Sequence, residues 1–404
     1  MSDSPDIRDE QTDAEVSGVL ATSLLDSLSI VDDPRKARGK RYLLREVLLI
    51  VIVGCMCGCD HAEALEDWAK KERDWLSQFL PLNHGTPSQD VFLRVLAAID
   101  VDQFRQSFLS WVQAAFSPLG LGEHIAIDGQ THRGSSTRSS DKSPVHMVSA
   151  FACEAGLVLG QVATADKSNE IKAIPILLEL LDLKGALVSI DAMGTQRRIM
   201  KLIRSNEADY LLAIKKNQPT LHEETIKAFE AASAGSSHNV DEADPPTVET
   251  HESVDGGHGR IETRVTSVIH DFDDWVPATN DWWHVKTLIH VHATREDAIS
   301  GKTESEDRYY FSSRKLSAER AGEAVRTHWS VENKLHWVLD VSFGQDQCQV
   351  RTENAAENLA TVRQFALNLI RSYSGDNYSV PRRRRLCDYD ADYREQLLAQ
   401  TAGL

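Results

Sequence analysis

The order of its elements makes this chain an α/β protein, with a mixed sheet flanked by helices. Three observations predict it. Residues 124–128, 146–152 and 157–163 alternate apolar and polar, or run apolar, as three successive strands. Helix, strand, helix and strand then follow at 171–182, 186–191, 195–206 and 209–214, so later strands must return beside earlier ones. Before Pro118 the apolar residues recur at helical spacing, and after residue 246 they recur at strand spacing.

Three strands followed by helix–strand–helix–strand is the order of the RNase H-like fold, in which the first and fourth strands are neighbours. Around that core, in residues 118–221 and 313–375, the rest divides by pattern. Residues 1–33 carry nine acids and one Arg and read as a mobile acidic leader. Residues 34–117 form an N-terminal helical domain. Leu43, Val47, Ile50 and Val51 share one helical face, and a second helix runs from Ala62 to Leu80 around Leu65, Trp68, Trp75 and Phe79. Pro87 suits the first turn of a third helix, and the fourth runs from Phe104 to Phe116. Its basic entry, Arg35 to Arg45, fits a DNA-contacting module, and a bundle that only supports the core fits equally well.

Residues 222–312 read as a β-rich insertion, with strands at Val248–Val254, Arg260–His270 and Trp283–Ala293 and a last short one at Tyr309–Ser312. Ser317 is a good N-cap for a helix running through Glu332, and Asn354 to Arg371 is another helix. Residues 376–404 form a basic tail, and its run Arg382–Arg385 is expected to be solvated rather than bound to DNA.

Composition excludes several classes. No run approaches the ~20 apolar residues of a membrane span; Val47 to Met56 is too short, so a cytoplasmic protein is expected. The net charge of −17 argues against a simple polyanion binder, but the acidic leader supplies nearly half of it. The Cys55-x-Cys57-x-Cys59 cluster lacks a distant second pair and closes an apolar helix, so small core thiols explain it better than a metal site.

The chemistry concentrates at Asp128. The strand 124–128 ends in this acid followed by Gly129, and the strand 186–191 ends in Asp191. Glu332 lies on the later helix. Singly, such residues are most often turn residues, helix caps or solvated acids. Together they could converge on two hard divalent cations, which prefer carboxylate oxygen. Lys215, Lys216, Asn217 and Gln218 leave a neighbouring strand and suit a DNA-backbone contact. His258, Arg260 and Arg264 surround a Gly-rich hairpin turn and suit another.

In order along the chain stand Asp128-Gly129-Gln130-Thr131-His132-Arg133-Gly134-Ser135, Lys167-Ser168-Asn169-Glu170, Asp191-Ala192-Met193 with Gln196, Lys216-Asn217-Gln218, His258-Gly259-Arg260-Ile261-Glu262 and His328-Trp329-Ser330-Val331-Glu332-Asn333 with Leu335-His336-Trp337 and Leu339-Asp340-Val341. This set resembles the H-repeat-associated DDE transposases of bacterial insertion sequences, over roughly Asp33 to Arg371. The resemblance implies an RNase H-like catalytic domain, a β-rich insertion before the catalytic Glu, and an N-terminal helical domain. It implies Mg²⁺-dependent DNA cleavage and strand transfer with two ions, for which Mn²⁺ can substitute. Asp128, Asp191 and Glu332 would be the acid triad. Double-stranded DNA, as element ends and target, would be the partner of a homodimer assembled on it, in the nucleoid.

The chain departs from relatives that carry Arg four residues before the Glu and Lys seven after it; His328 and Leu339 stand there, and Gln130 replaces a common Lys. His328 or Lys334 would then serve as substitute phosphate contacts. Two other readings fit the same acids: an RNase H-like nuclease that cuts without joining, and a relic that only binds DNA.

Overall fold

The helix Leu44–Met56 (α1) is apolar on every side and buried along nearly its whole length. Such a helix belongs in the middle of a core. Its one buried acid, Glu46, accepts hydrogen bonds from the backbone N–H of Leu43 (3.1 Å) and of Leu82 (3.2 Å), so the charge is not stranded. The computed structural model describes residues 24–116, 122–135, 144–164, 169–234, 245–257 and 259–400.

After α1 come Ala62–Lys71 (α2), Arg73–Leu76 (α3), Gln89–Ala98 (α4) and Val101–Phe116 (α5). The single helix expected over 62–80 is therefore broken, at Glu72, whose carboxylate is taken by Arg394. Next are His124–Thr131 (β1), His146–Ala152 (β2), Leu157–Thr164 (β3), Glu170–Glu179 (α6), Leu187–Ile190 (β4), Arg197–Ser205 (α7), Asp209–Ile214 (β5) and Pro219–Ala234 (α8). Four long strands follow: Val248–Gly257 (β6), Arg260–Ile269 (β7), Thr287–Asp297 (β8) and Thr303–Ser312 (β9). The chain closes with Ala318–Val331 (α9), Trp337–Ser342 (α10), Ala355–Ser372 (α11), Val380–Tyr389 (α12) and Ala391–Gln400 (α13).

All the strands belong to one sheet of nine, ordered β3-β2-β1-β4-β5-β9-β8-β7-β6. Only the β1–β4 and β4–β5 pairs are parallel. The expected insertion is therefore not a separate β unit. It continues the core sheet through the antiparallel pair β5–β9, from Leu211↔Ser312 to Ile214↔Tyr309. Strand β9 is ten residues long where the sequence suggests four. Its outer half is exposed and charged, so no apolar alternation marks it. Cross-strand pairing with β8, down to Glu296↔Thr303, holds it instead.

Helix α9 covers one face of the sheet, burying Ala318, Ala321, Ala324 and Val325 against Val268, Ile289 and Tyr310. Gly322 lets it lie close: a Cβ there would stand 2.7 Å from Thr266 Oγ1. The other face and the N-terminal helices share one core, in which Phe365 of α11 stacks against Phe104, Phe108 and Trp111 of α5. Asn368 of α11 also seals the outer edge of β3, giving and taking one hydrogen bond each with Val158 (2.8 and 2.9 Å).

Both expected tails differ from the structure. The final part of the supposed leader is core, with Leu24, Leu28 and Val31 buried; the preceding 23 residues lie outside those described. The supposed basic tail is two packed helices. Arg383 is buried, bonded to Asp376 (2.9 Å) and to the carbonyl of Ile370 (2.6 Å). Arg384 is buried between Asp60 (2.6 Å) and the carbonyl of Cys55 (2.9 Å). These arginines answer acids and carbonyls, some more than 300 residues away in sequence, which no local reading of Arg382–Arg385 could reveal. Cys55 and Cys57 are buried in the same region, as expected of small core thiols.

Arg394 is the most buried of these cations. Its side chain is 1% exposed, donates to Glu72 (2.6 Å) and to the carbonyl of Cys387 (3.1 Å), and lies 4.0 Å from the ring centre of Trp75. Breaking a buried pair by removing one partner costs about 3–5 kcal/mol. Arg394→Ala is therefore expected to lower the free energy of denaturant unfolding by about that amount, and a loss below about 1 kcal/mol would show that the pair does not anchor α13.

Candidate active site

The parallel pairing of β1 with β4 runs from His124↔Leu187 to Ile127↔Ile190. The next residues on the two strands are Asp128 and Asp191, so this register sets the two acids side by side. Strand β1 does not end at Asp128 as expected. It continues to Thr131 along β2, with Asp128 opposite Ser149. What ends is β4, because Asp191 caps the 3₁₀ turn Ala192–Gly194, its Oδ1 accepting from the Met193 N–H at 2.9 Å. Asp191 is thus a cap as well as a site candidate, and the loss of its neighbour opens the β4 side of Asp128.

Glu332 begins the stretch Glu332–His336, which is wound as a π-helix between α9 and α10, with the Trp337 N–H reaching back to the Glu332 carbonyl. Single wide turns of this kind are frequent at functional sites. Glu332 is exposed, while Asp128 and Asp191 are half-buried.

Burial pushes the Asp128 carboxyl up to about 7, and the charges of Asp191, Glu170 and Glu332 push the same way, against the Gly129 N–H. Asp128 is therefore crowded by the acids around it. His336 Nδ1 stands 3.6 Å from Asp128 Oδ2, but burial pushes this imidazole down to about 4, so it brings no positive charge at neutral pH. Among the described residues no three His, Cys, Asp or Glu side chains close around an ion as they stand. The acid set is open, and the like-charge crowding falls on Asp128.

The expected DNA contacts fare unequally. Lys215 and Lys216 are exposed and line a cleft of about 360 Å³ beside Asp191, together with His222, Arg308, Tyr309 and Trp329. The side-chain amides of exposed Asn217 and half-buried Gln218 are committed instead to the carbonyls of Ala192 (2.6 Å) and Thr195 (3.0 Å), where they brace the Asp191 turn. His328 is buried. Its Nδ1 bonds Ser189 Oγ (2.8 Å), which bonds His124 Nε2 (2.7 Å), and burial pushes it down to about 4. It is a neutral part of the sheet's underside, not a cation offered to phosphate.

Lys334 is exposed and donates to the Cys153 carbonyl (3.3 Å). Arg264 is held between Asp255 and Glu262, both at 2.5 Å, so its charge is already answered; Arg260 is exposed. His258 lies outside the described residues.

Several neighbours of Asp128 carried no role in the sequence. Glu170, at the start of α6, bonds His146 Nε2 at 2.7 Å, and His146 Nδ1 lies 2.7 Å from Thr131 Oγ1. Gln130 donates to Asp340 (2.8 Å), whose carboxyl burial raises to about 6. Glu170 stands in the Asn169-Glu170 stretch of the motif set, a signal that gave it position without a function. Nothing in the sequence joins His146 to it.

A mixed sheet in which one acid lies just past the parallel β1–β4 pairing and a second caps the turn that ends β4 is compatible with the class of the DDE nucleotidyl-transfer domains. The Transposase DDE domain family matches residues 120–369, and the DDE_Tnp_1-associated family matches residues 25–112. The chain is 36% identical over 383 residues to "Putative transposase YncI" of Escherichia coli O157:H7, covering 95% of this chain and 96% of the relative. It is 35% identical over 378 residues to "H repeat-associated putative transposase YhhI" of Escherichia coli strain K12, covering 93% and 97%. This chain belongs to the H-repeat-associated DDE transposase family. A piggyBac transposase synaptic complex with hairpin DNA aligns with 96% of this chain and 81% of its own, at 10% identity and a TM-score of 0.38, too loose a likeness to bear on the fold.

The crowding of Asp128 has a measurable consequence. Its folded-state value lies above its ordinary one, so ionisation destabilises the native protein progressively from about pH 4 to about pH 7. Asp128→Asn removes that cost. The stability gained over the parent, without added cations, is expected to grow by roughly 1–3 kcal/mol between pH 5 and pH 8. A gain that is flat across that window in denaturant titrations would mean that Asp128 is not crowded.

Proposed function

We propose that this chain is an active transposase that cleaves DNA at the ends of an insertion sequence and joins them to target DNA. The single observation that carries the reading is the β1–β4 register that sets Asp128 beside Asp191, within the field of Glu332. The order β3-β2-β1-β4-β5, with β1, β4 and β5 parallel, supports an RNase H-like core.

Asp128, Asp191 and Glu332 would hold two Mg²⁺ ions, with Mn²⁺ able to replace them. The donor set fits: it is all hard carboxylate oxygen, and Asp128 is crowded by like charge that cations would relieve. When bound, such ions supply a more acidic water and charge stabilisation of the phosphodiester under attack. The chain's own residues do the rest. The Asp191 cap, braced by Asn217 and Gln218, fixes one carboxylate; Lys215 and Lys216 hold the strand beside it through phosphate. The first nucleophile is water, freeing a 3′-OH, and the second is that hydroxyl attacking target DNA. No covalent link to the protein is needed.

The partner is double-stranded DNA, bound by a homodimer assembled on it, in the nucleoid of the cytoplasm. Among the described residues, exposed Arg260 is the hairpin cation offered to DNA, with Asp297 and Glu304 sharing its field. An RNase H-like nuclease is the second reading; the long β6–β9 extension, which simple hydrolysis does not need, favours a transposase.

Asp128→Asn, Asp191→Asn and Glu332→Gln keep size and remove the anionic oxygen. Each is expected to lower cleavage and joining of the element's ends hundreds-fold or more, since several kcal/mol of charge stabilisation is lost and each ~1.4 kcal/mol is tenfold in rate. DNA affinity should hold. A variant that still joins ends at the parental rate would remove its residue from the triad, and a parent that binds its ends but never cuts in Mg²⁺ or Mn²⁺ would mark a relic.

For phosphate contact, Lys216→Ala and Arg260→Ala are each expected to take about 0.9 of a unit from the slope of log affinity against log salt. Unchanged slopes would leave both as solvated side chains.

A further inference from the structure

Beside Asp128, three side chains outside the acid triad form a line of hydrogen bonds, buried at Glu170 and His146 and half-buried at Thr131. Glu170 and His146 are both buried, with side-chain exposures of 7% and 2%. The Glu170 carboxylate accepts from His146 Nε2 (2.7 Å). When Nε2 carries the ring's one proton, Nδ1 is left to accept from the Thr131 hydroxyl (2.7 Å). Each member sits on a different element: α6, β2 and β1. The chain ties the first turn of α6 to the part of β1 that lies beyond its last pairing with β4.

Gly129 shows how closely this chain presses on the site. A Cβ at Gly129 would stand 2.6 Å from His146 Nε2 and would also collide with the Glu170 carboxylate. The Glu170–His146 pair therefore rests directly on the residue after Asp128. The same Cβ would fall closer still to Glu170 Oε1, so Glu170 reaches the backbone beside Asp128, whose carboxyl feels it as a like charge. A buried acid beside the crowded Asp128 worsens the repulsion, and a buried carboxylate is expensive. Folding alone does not call for it, since an apolar pair of the same shape could fill the space.

We propose that Glu170, clamped by His146 and Thr131, is a positioning acid of the active site that raises its affinity for divalent cations by adding a fixed negative charge and by holding Asp128 on its strand. The arrangement is the one in which a carboxylate fixes a histidine's tautomer and ring, here used to fix the carboxylate and the backbone beneath it. The proposal rests on the reading of Asp128, Asp191 and Glu332 as cation ligands.

The test is Mn²⁺ binding to the full-length protein by isothermal titration calorimetry, with cleavage of element-end DNA followed against Mn²⁺ concentration. Glu170→Gln keeps shape and removes the charge. It is expected to weaken Mn²⁺ binding tenfold or more and to raise the half-maximal Mn²⁺ for cleavage equally. The rate at saturating Mn²⁺ should fall less than tenfold, and DNA affinity should stay within twofold. Thr131→Val, which loosens only the far end of the clamp, should move the same quantities in the same direction by about two- to fivefold.

A folded Glu170→Gln protein with parental Mn²⁺ affinity overturns the proposal and leaves Glu170 as a structural brace. If Glu170→Gln fails to fold, Thr131→Val decides, and parental Mn²⁺ affinity in that variant overturns it too. If Asp128→Asn also binds Mn²⁺ and cleaves like the parent, the reading of the triad has failed, and the two failures are told apart.

Discussion

The structure depends on where one parallel pairing stops. Strands β1 and β4 run together as far as Ile127 and Ile190, and there β4 turns away because Asp191 caps its own 3₁₀ turn. The candidate acids Asp128 and Asp191 lie just beyond that point. Had β4 continued by two residues, Asp128 would face a neighbouring backbone instead of an opening. The capping bond and the bracing amides of Asn217 and Gln218 keep that opening in place.

The N-terminal helices and the C-terminal helices are bound to this core from both sides of the sequence. Helix α1 is buried all round, and buried arginines of α12 and α13 reach back to Asp60 and Glu72. Chain ends that look dispensable in composition are thus joined by charge pairs sheltered from water. Salt weakens such pairs far less than exposed ones. The site is carried by a body whose first and last helices brace one another.

Much of this was legible in the sequence, for a physical reason. Strands buried on both faces write their apolar runs plainly, so 124–128, 146–152, 157–163 and 186–191 stood out, and the acids that interrupt such runs stood out with them. Strand β9 did not, because its outer half is solvated on both faces and is held by pairing rather than by burial. The roles of Arg383, Arg384 and His328 were not legible either. A charged or titratable side chain looks the same in sequence whether solvent or a distant partner surrounds it. Burial sets His328 among Ser189 and His124, where its ring is neutral, and no spacing rule could have shown this. Glu170 was visible as part of a motif, but its meaning needed the contact with His146 and the bare backbone of Gly129.

The continuous nine-stranded sheet has a mechanical side. Strand β9 is bonded to β5, and β5 to β4, whose last residue precedes Asp191. Hydrogen-bonded strands resist shear, so a force on the exposed ends of β6 and β7 does not dissipate in a hinge. The strand that runs up to Asp191 is joined to the outer strands through β5 and β9 without a break in pairing. The outer strands are then a lever arm, and lengthening them at their free tips would alter its reach without disturbing its fulcrum.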